Sequence, residues 1–411
     1  MTDLQVRPSE TEPIGPEEDG DTATRRWATA YPELGTEPIS TDRFISEEFF
    51  ERERKEVFAK SWVNVGSNHD FPSAAAFFVR DIKVLGVSLL VVRTDDGKVQ
   101  AYHNVCSHRG NKLIWEQNGP CPKVFACRFH GWGYQATDGA LASIPDEEQF
   151  YFSDKSTLDL VPVRTDTWNG FIFVNLDDDG TVDLHEHLGP LGEKLADFPF
   201  EKLTMEYRYD VPEKANWKVA LDAQNEIYHV PMLAPVHRFL SGGAFHTNDD
   251  GYTRVHTFDR LGLHSVYTSE SDDDFQDTDS GVANAATHPA FGVLQLPLET
   301  PFAFHVVFPN MVLAFFNNSM FTYNIWPEAV DQTTWEIRLH YPKPTNLAER
   351  VLVEQAKSRF RDLLCEDQAG HEALQVGLTS QARDIFVLGE QEVQIRAFHH
   401  NLDNYMDGVR R

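Results

Sequence analysis

A chain of 411 residues, 41 % of them hydrophobic, is long enough for two or three domains that each bury a core. A formal charge of −28 argues against nucleic acid, whose phosphates require clustered Lys and Arg, and there is no apolar run of about twenty residues to cross a membrane. Four cysteines are too few for a disulfide framework and point to a reducing, cytoplasmic setting, and the acidic amino terminus lacks the apolar core of a secretory signal.

The first 24 residues are rich in Pro, Glu, Asp and Thr with almost no core material, so residues 1–40 read as a largely disordered arm. Residues 46–59 carry an N-cap Ser46, early glutamates and apolar Phe49, Phe50, Val57 and Phe58, the pattern of a short amphipathic helix. From 62 to about 173 the chain is β-like: β-branched and aromatic runs alternate with turn signals such as Asp95-Asp96-Gly97 and Asp138-Gly139.

Within that β-rich part, residues 103–139 hold Cys106-x-His108 and Cys127-x-x-His130. Short-spaced Cys and His more often bind zinc, but zinc sites usually take both cysteines from one short motif and both histidines from another. Here each loop supplies one thiolate and one imidazole. That division suits a [2Fe–2S] cluster in which one iron takes both cysteines and the other both histidines. Cys121 and Cys365 are left over and read as buried free thiols. Arg109 and Trp132, beside the two pairs, are candidates to shield the cluster, with ordinary loop packing as the alternative; His103 is given no role.

The phrases NVCSHRG, CRFHGWGYQATDGAL and GFIFVNLD resemble the Rieske-type non-haem iron oxygenases, the aromatic-ring-hydroxylating family and its relatives. The resemblance runs from about 44 to 406. It implies an α+β protein: a small all-β Rieske [2Fe–2S] domain at 41–178 and a helix-grip catalytic domain at 179–411, an antiparallel sheet with a long helix that holds a mononuclear iron. It also implies electrons from NAD(P)H through a partner reductase, with or without a ferredoxin between them.

The next informative stretch is KANWKVALDAQNEIYHVPMLAPVH, residues 214–237. Asn216 opens a helical pattern, and Asp222, Glu226 and His229 fall at i, i+4 and i+7, one helical face. An iron that activates O₂ needs two imidazoles and one carboxylate with the opposite positions open. His229 is the first imidazole and His237 the next available. Eight residues of continuous helix would separate them by about 12 Å, too far for one metal, but Pro231 and Pro235 break the helix and let the chain turn back. The family's pair is more closely spaced, so this gap is a departure.

Residues 365–378, CEDQAGHEALQVGL, resemble the family's Glu-Asp helix, which makes Asp367 the third ligand; Glu390-Gln391-Glu392 is the competing source of a carboxylate. By the same resemblance Glu226 bridges a ligand of the mononuclear iron to a cluster histidine of a neighbouring subunit, the electron-transfer bridge. Aspartate is usual there, and glutamate occurs in relatives acting on quaternary amines. A head-to-tail bridge closes into a ring, with a homotrimer the simplest form and added small subunits the alternative.

Residues 302–326 read as two or three aromatic-rich strands suited to lining an apolar pocket, although core packing yields the same pattern. The acidic stretch 269–281 reads as a loop over the entrance or as disorder, and 347–379 as one long helix. The function implied is the terminal oxygenase of a multicomponent system, hydroxylating or dihydroxylating an aromatic or other hydrophobic molecule. The alternatives are oxidative demethylation or quaternary-amine monooxygenation in the same family and, more distantly, a bare Rieske electron carrier.

Overall fold

Strands form where β-branched and aromatic residues alternate with turn signals, and the chain builds its layers from them. The computed structural model describes residues 26–152, 154–233, 235–237, 254–269, 302–316 and 319–409. Seven strands form the first antiparallel sheet, in the order Val63–Ser67, Phe171–Asn175, Pro162–Trp168, Val99–His103, Val87–Arg93, Ala76–Ile82 and Asn118–Pro120. A three-stranded sheet, Val124–Ala126, Gly133–Gln135 and Leu141–Ser143, carries the second Cys/His loop at its first turn.

A second seven-stranded antiparallel sheet runs Met205–Glu213, Gln332–Tyr341, Ser319–Ala329, Met311–Phe316, Phe302–Val307, His264–Ser269 and Val255–Leu261. The aromatic-rich stretch of the sequence supplies three of these strands. Register sends Tyr267, Phe304, Phe321, Tyr323, Ile337 and Leu339 to one face and Val266, Leu313, Phe315, Met320, Glu336, Arg338 and His340 to the other.

Helices occupy the chain at α1 (Arg26–Ala30), α2 (Asp42–Ile45), α3 (Glu47–Glu53), α4 (Leu184–Lys194), α5 (Trp217–Ala223), α6 (Leu347–Thr379) and α7 (Val393–Met406). On the first face of the second sheet, Phe360 of α6 stacks on Phe321 at 3.7 Å, and Trp217 of α5 and Phe398 of α7 join the same core. On the opposite face, Leu184 and Leu188 of α4 pack with Phe171 and Phe173 of the first sheet against Leu313 and Phe315. This is the α+β plan expected, with a long helix gripped by an antiparallel sheet. Ser46 caps α3 by accepting the N–H of Phe49, as the sequence pattern required.

Three expectations need correction or qualification. Residues 1–25 and 270–281, which cover most of the supposed arm and the acidic loop, lie outside the described residues. Residues 26–40 are structured, because Trp27 is buried against Ile227, Val230 and Phe258 and anchors α1. The two spare cysteines are not buried: Cys121 is half-exposed and Cys365 exposed. Cys365 precedes Asp367 by two helical residues, about 200° around the axis, so burying the aspartate turns the thiol outward.

Two charged assemblies hold these layers in register. Lys218 and Glu53 are both fully buried and pair at 2.7 Å, while Trp217 donates its indole N–H to the same carboxylate at 3.0 Å, fastening α5 to α3. Between the two large sheets, Arg338 contacts Asp70 at 2.8 Å, Glu336 at 2.7 Å and Glu206 at 3.0 Å, and Arg208 reaches Glu336 at 3.2 Å. Arg80 from the first sheet also meets Glu336.

Burial alone would raise the Glu336 carboxyl, but Arg80, Arg338 and Arg208 overrule it and hold the group far below its ordinary 4.5. A folded value below the unfolded one means that this stabilisation is complete above about pH 4.5 and is lost as the pH falls. The thermal midpoint is therefore expected to decline on acidification below that point. Glu336→Gln should lower the midpoint at neutral pH and flatten the acid limb; calorimetry showing the same slope in both proteins would remove Glu336 as the cause.

Candidate functional site

The two Cys/His loops are built alike. The Gly110 N–H bonds the Cys106 carbonyl at 3.0 Å and the Gly131 N–H bonds the Cys127 carbonyl at 2.8 Å, each glycine having φ near +75°. That left-handed turn is cheap for glycine and closes each loop so that its Cys and His project to the same side. Cys106 and Cys127 are buried, whereas His108 and His130 reach the surface with their Nδ1 atoms 3.0 Å apart. Two thiols inside and two imidazoles outside, all converging, fit a [2Fe–2S] cluster with an outer iron held by histidine.

Neighbouring groups tune these donors. The Tyr134 hydroxyl lies 3.3 Å from the Cys106 sulfur and accepts the Ser107 N–H at 2.9 Å, and the Asn111 amide points at the Cys127 sulfur at 3.6 Å. Burial pushes the Cys127 thiol up, but the backbone N–H groups of Phe129 and His130 and the Asn111 amide bring it below its ordinary value. Trp132 stacks on His108 at 4.9 Å with the rings 8° from parallel, whereas Arg109 lies over Phe129 on the exposed side. Tyr134 and Asn111 had no assigned part in the sequence reading; both stand within the motif itself, and only their contacts with sulfur reveal it.

The second constellation forms beside α5. Its helix ends at Ala223, so Asp222, Glu226 and His229 do not share a helical face. The Glu226 carboxylate accepts the N–H groups of Tyr228 and His229, which a continuing helix would have donated to Gln224 and Asn225. The same carboxylate also bonds the His229 Nδ1. Asp222 turns elsewhere and pairs with His399 at 2.9 Å.

His237 is brought back by a residue the sequence reading passed over. Glu366 accepts the backbone N–H of Val236 at 2.8 Å and of His237 at 3.0 Å, and its carboxylate holds the His237 Nδ1 at 2.9 Å. With both Nδ1 atoms engaged, both Nε2 atoms face Asp367: its Oδ1 is 3.1 Å from His237 and 3.7 Å from His229. The candidate donor atoms of the three residues lie within 4.8 Å of one another.

The α6 helix arranges this meeting from one side. Its Gln368 donates to the Pro212 carbonyl at 2.9 Å, Glu372 accepts the Lys214 N–H at 3.1 Å, and Gln375 accepts the Asn216 N–H at 2.9 Å. These side chains, at i, i+4 and i+7, tie the helix to the backbone that leads into α5. The competing carboxylates are spent locally: Glu390 accepts the N–H groups of Trp27 and Ala28, and Glu392 that of Gly389.

Asp367 is buried, and its Oδ1 has no hydrogen-bond donor. A buried carboxylate oxygen without a partner is costly unless a cation meets it. Burial favours the neutral acid, yet His237 and His229 hold the Asp367 carboxyl below its ordinary value. Burial likewise works against charging His229, but Glu226 and then Asp367 raise it to about 9. An anionic oxygen and two imidazole nitrogens with their far sides clamped by carboxylates fit a mononuclear iron of the two-His, one-carboxylate type.

Comparison with known proteins agrees in both halves. Residues 61–164 match the Rieske [2Fe-2S] domain family, and residues 200–408 match the ring hydroxylating alpha subunit (catalytic domain) family. The carnitine monooxygenase oxygenase subunit of Acinetobacter pittii is 29 % identical over 224 residues, 53 % of this chain and 58 % of that protein. The alpha subunit of 2-aminobenzenesulfonate 2,3-dioxygenase from Alcaligenes sp. is 37 % identical over 185 residues, 44 % of this chain and 46 % of that one. The matched stretches thus span about half of these relatives' lengths. A solved quaternary ammonium Rieske monooxygenase superposes with a TM-score of 0.74 over 90 % of this chain and 95 % of that one, at 20 % identity, a likeness of fold.

The clamp on His237 has a direct test. Glu366→Ala should leave the visible spectrum of the cluster unchanged while weakening iron binding at the second centre by about 10- to 100-fold, the usual cost of losing a residue that orients a metal-binding histidine. Iron content at limiting supply is the readout. Full retention would show that Glu366 does not position the site.

Proposed function

The chain belongs to the ring hydroxylating alpha-subunit family of Rieske non-haem iron oxygenases, and from that premise we propose that it is a terminal oxygenase acting on a small cationic amine. When bound, the cluster and the mononuclear iron supply one-electron storage and activation of O₂. Cys106, His108, Cys127 and His130 would hold the first, and His229, His237 and Asp367 the second.

The chain's own residues shape the rest. Glu226 and Glu366 fix the Nδ1 side of each histidine, so the Nε2 lone pairs stay aimed at one point with Asp367. The aromatic face of the second sheet stands beside them: Tyr267 stacks on Phe304 at 5.0 Å and directs its hydroxyl toward the Glu226 carbonyl at 3.4 Å.

The observation that carries the substrate reading is the stacked aromatic pair of Tyr267 and Phe304 set against Glu226. Burial, with Glu226 and Asp367 as the nearby charges, raises the Tyr267 phenol well above its ordinary value, and burial with Asp367 does the same for Tyr323. A negative field beside aromatic faces favours a methylated ammonium group. Glutamate rather than aspartate at position 226 and the carnitine monooxygenase relative support the same class. A second reading, ring hydroxylation of an aromatic compound, is favoured by the 2-aminobenzenesulfonate dioxygenase relative.

For electron delivery, we assign Glu226 as the link to a cluster histidine of a neighbouring subunit, which makes the working form a ring, most simply a homotrimer, fed by an NAD(P)H-dependent reductase. Glu226 has one face on His229 and sits where the turn after α5 reaches the surface at half-exposed Tyr228.

The test pairs a generic reductase with a panel of quaternary ammonium compounds and neutral or anionic aromatics, scoring O₂ uptake against product. Coupled turnover with the ammonium compounds is expected; coupling with the aromatics alone would transfer the assignment to the second reading. Glu226→Gln should keep a reducible cluster yet slow its reoxidation by substrate and O₂ by about 10-fold or more. An unchanged rate would exclude Glu226 from the electron path.

A further inference from the structure

A second cluster of metal-type donors lies away from the iron site, where the two large sheets meet. Glu206 on Met205–Glu213 and His340 on Gln332–Tyr341 are directly opposed in the antiparallel ladder and face the first sheet. His69 comes from the other side of the junction, in the short turn Asn68–Asp70 that follows Val63–Ser67. The candidate donor atoms of the three residues lie within 4.8 Å of one another, the same limit met by His229, His237 and Asp367. The His340 Nδ1 is 3.7 Å from the Glu206 Oε2, matching the 3.7 Å between His229 and Asp367.

We propose that His69, Glu206 and His340 form a further metal site, for a borderline divalent cation such as zinc, that bridges the Rieske and catalytic domains. Two imidazoles and a carboxylate are an accepted zinc donor set and leave a fourth position for water. The supporting shell is in place. Thr322 Oγ1 meets the His340 Nε2 at 3.1 Å, which leaves the Nδ1 lone pair for a metal. Ser67 and Arg338 bond the two Glu206 oxygens at 3.2 and 3.0 Å and fix the carboxylate's orientation.

The His340 ring is buried at the junction, 6.0 Å from the His69 ring between centroids. Its distance from Glu206 is too long for a hydrogen bond, so the two are not a closed pair. Arg338 opposes a nearby cation, but Asp70, Glu206 and Glu336 already surround it, and these carboxylates offset Arg80, Arg208 and Arg338. His69 is exposed on a short turn and is the donor free to close on an arriving ion. The carboxylate and the buried histidine are fixed by the sheet, so the site takes its selectivity from the catalytic domain and its closure from the Rieske domain.

The test equilibrates iron-loaded full-length protein with zinc and measures zinc, iron and acid-labile sulfide together by mass spectrometry and colorimetry. Wild type should take up about one zinc per chain at unchanged iron and sulfide, and zinc should raise its thermal midpoint. His69→Ala, an exposed position whose fold is checked by the cluster spectrum, should bind zinc at least tenfold more weakly and lose the zinc-dependent shift. Glu206→Gln should do the same. Equal zinc affinity in wild type and His69→Ala would overturn the proposal, as would zinc uptake matched by loss of iron, which places the ion at His229, His237 and Asp367 instead.

Discussion

The site depends on one helix that binds backbone at two separate places. From α6, Gln368, Glu372 and Gln375 grip residues 212–216, and Glu366 grips residues 236–237. Between those grips run α5, Glu226 and His229. Because Asp367 sits on the same helix, the two histidines and the aspartate are positioned against a single rigid element rather than against one another. Each grip satisfies a backbone N–H or C=O group in the segment that it holds.

Charge at the site follows from the same arrangement. Two carboxylates, Glu226 and Glu366, stand behind the histidines and a third, Asp367, stands in front, so three carboxylates surround the point where a cation would be held. The Tyr267 and Tyr323 phenols are raised first by burial and then by these carboxylates, Glu226 and Asp367 for Tyr267 and Asp367 for Tyr323. The cluster loops solve a different problem. There the thiols are buried and the imidazoles reach the surface, so a cluster held by them would have its histidine side toward solvent.

Local patterns made much of this legible. The Cys/His loops, the strands around them and the bounds of α6 follow from short motifs and hydrophobic period, because those features are decided by neighbours in sequence. Three things were not legible. The end of α5 is set by a side chain capturing two amides, which periodicity cannot show. The approach of His237 is set by Glu366, 129 residues away. Trp27 is ordered by partners two hundred or more residues downstream. Cys365 was misjudged because spare thiols are commonly buried, whereas helical geometry turns this one away from the buried Asp367.

The central claim is that one chain holds two iron centres of different kinds, the second defined by Asp367. Iron and acid-labile sulfide per chain test it most directly. About three irons to two sulfides are expected in the native protein, and about two to two in Asp367→Ala with the cluster spectrum intact. Two irons per chain in fully active native protein, or three retained in the variant, would contradict it.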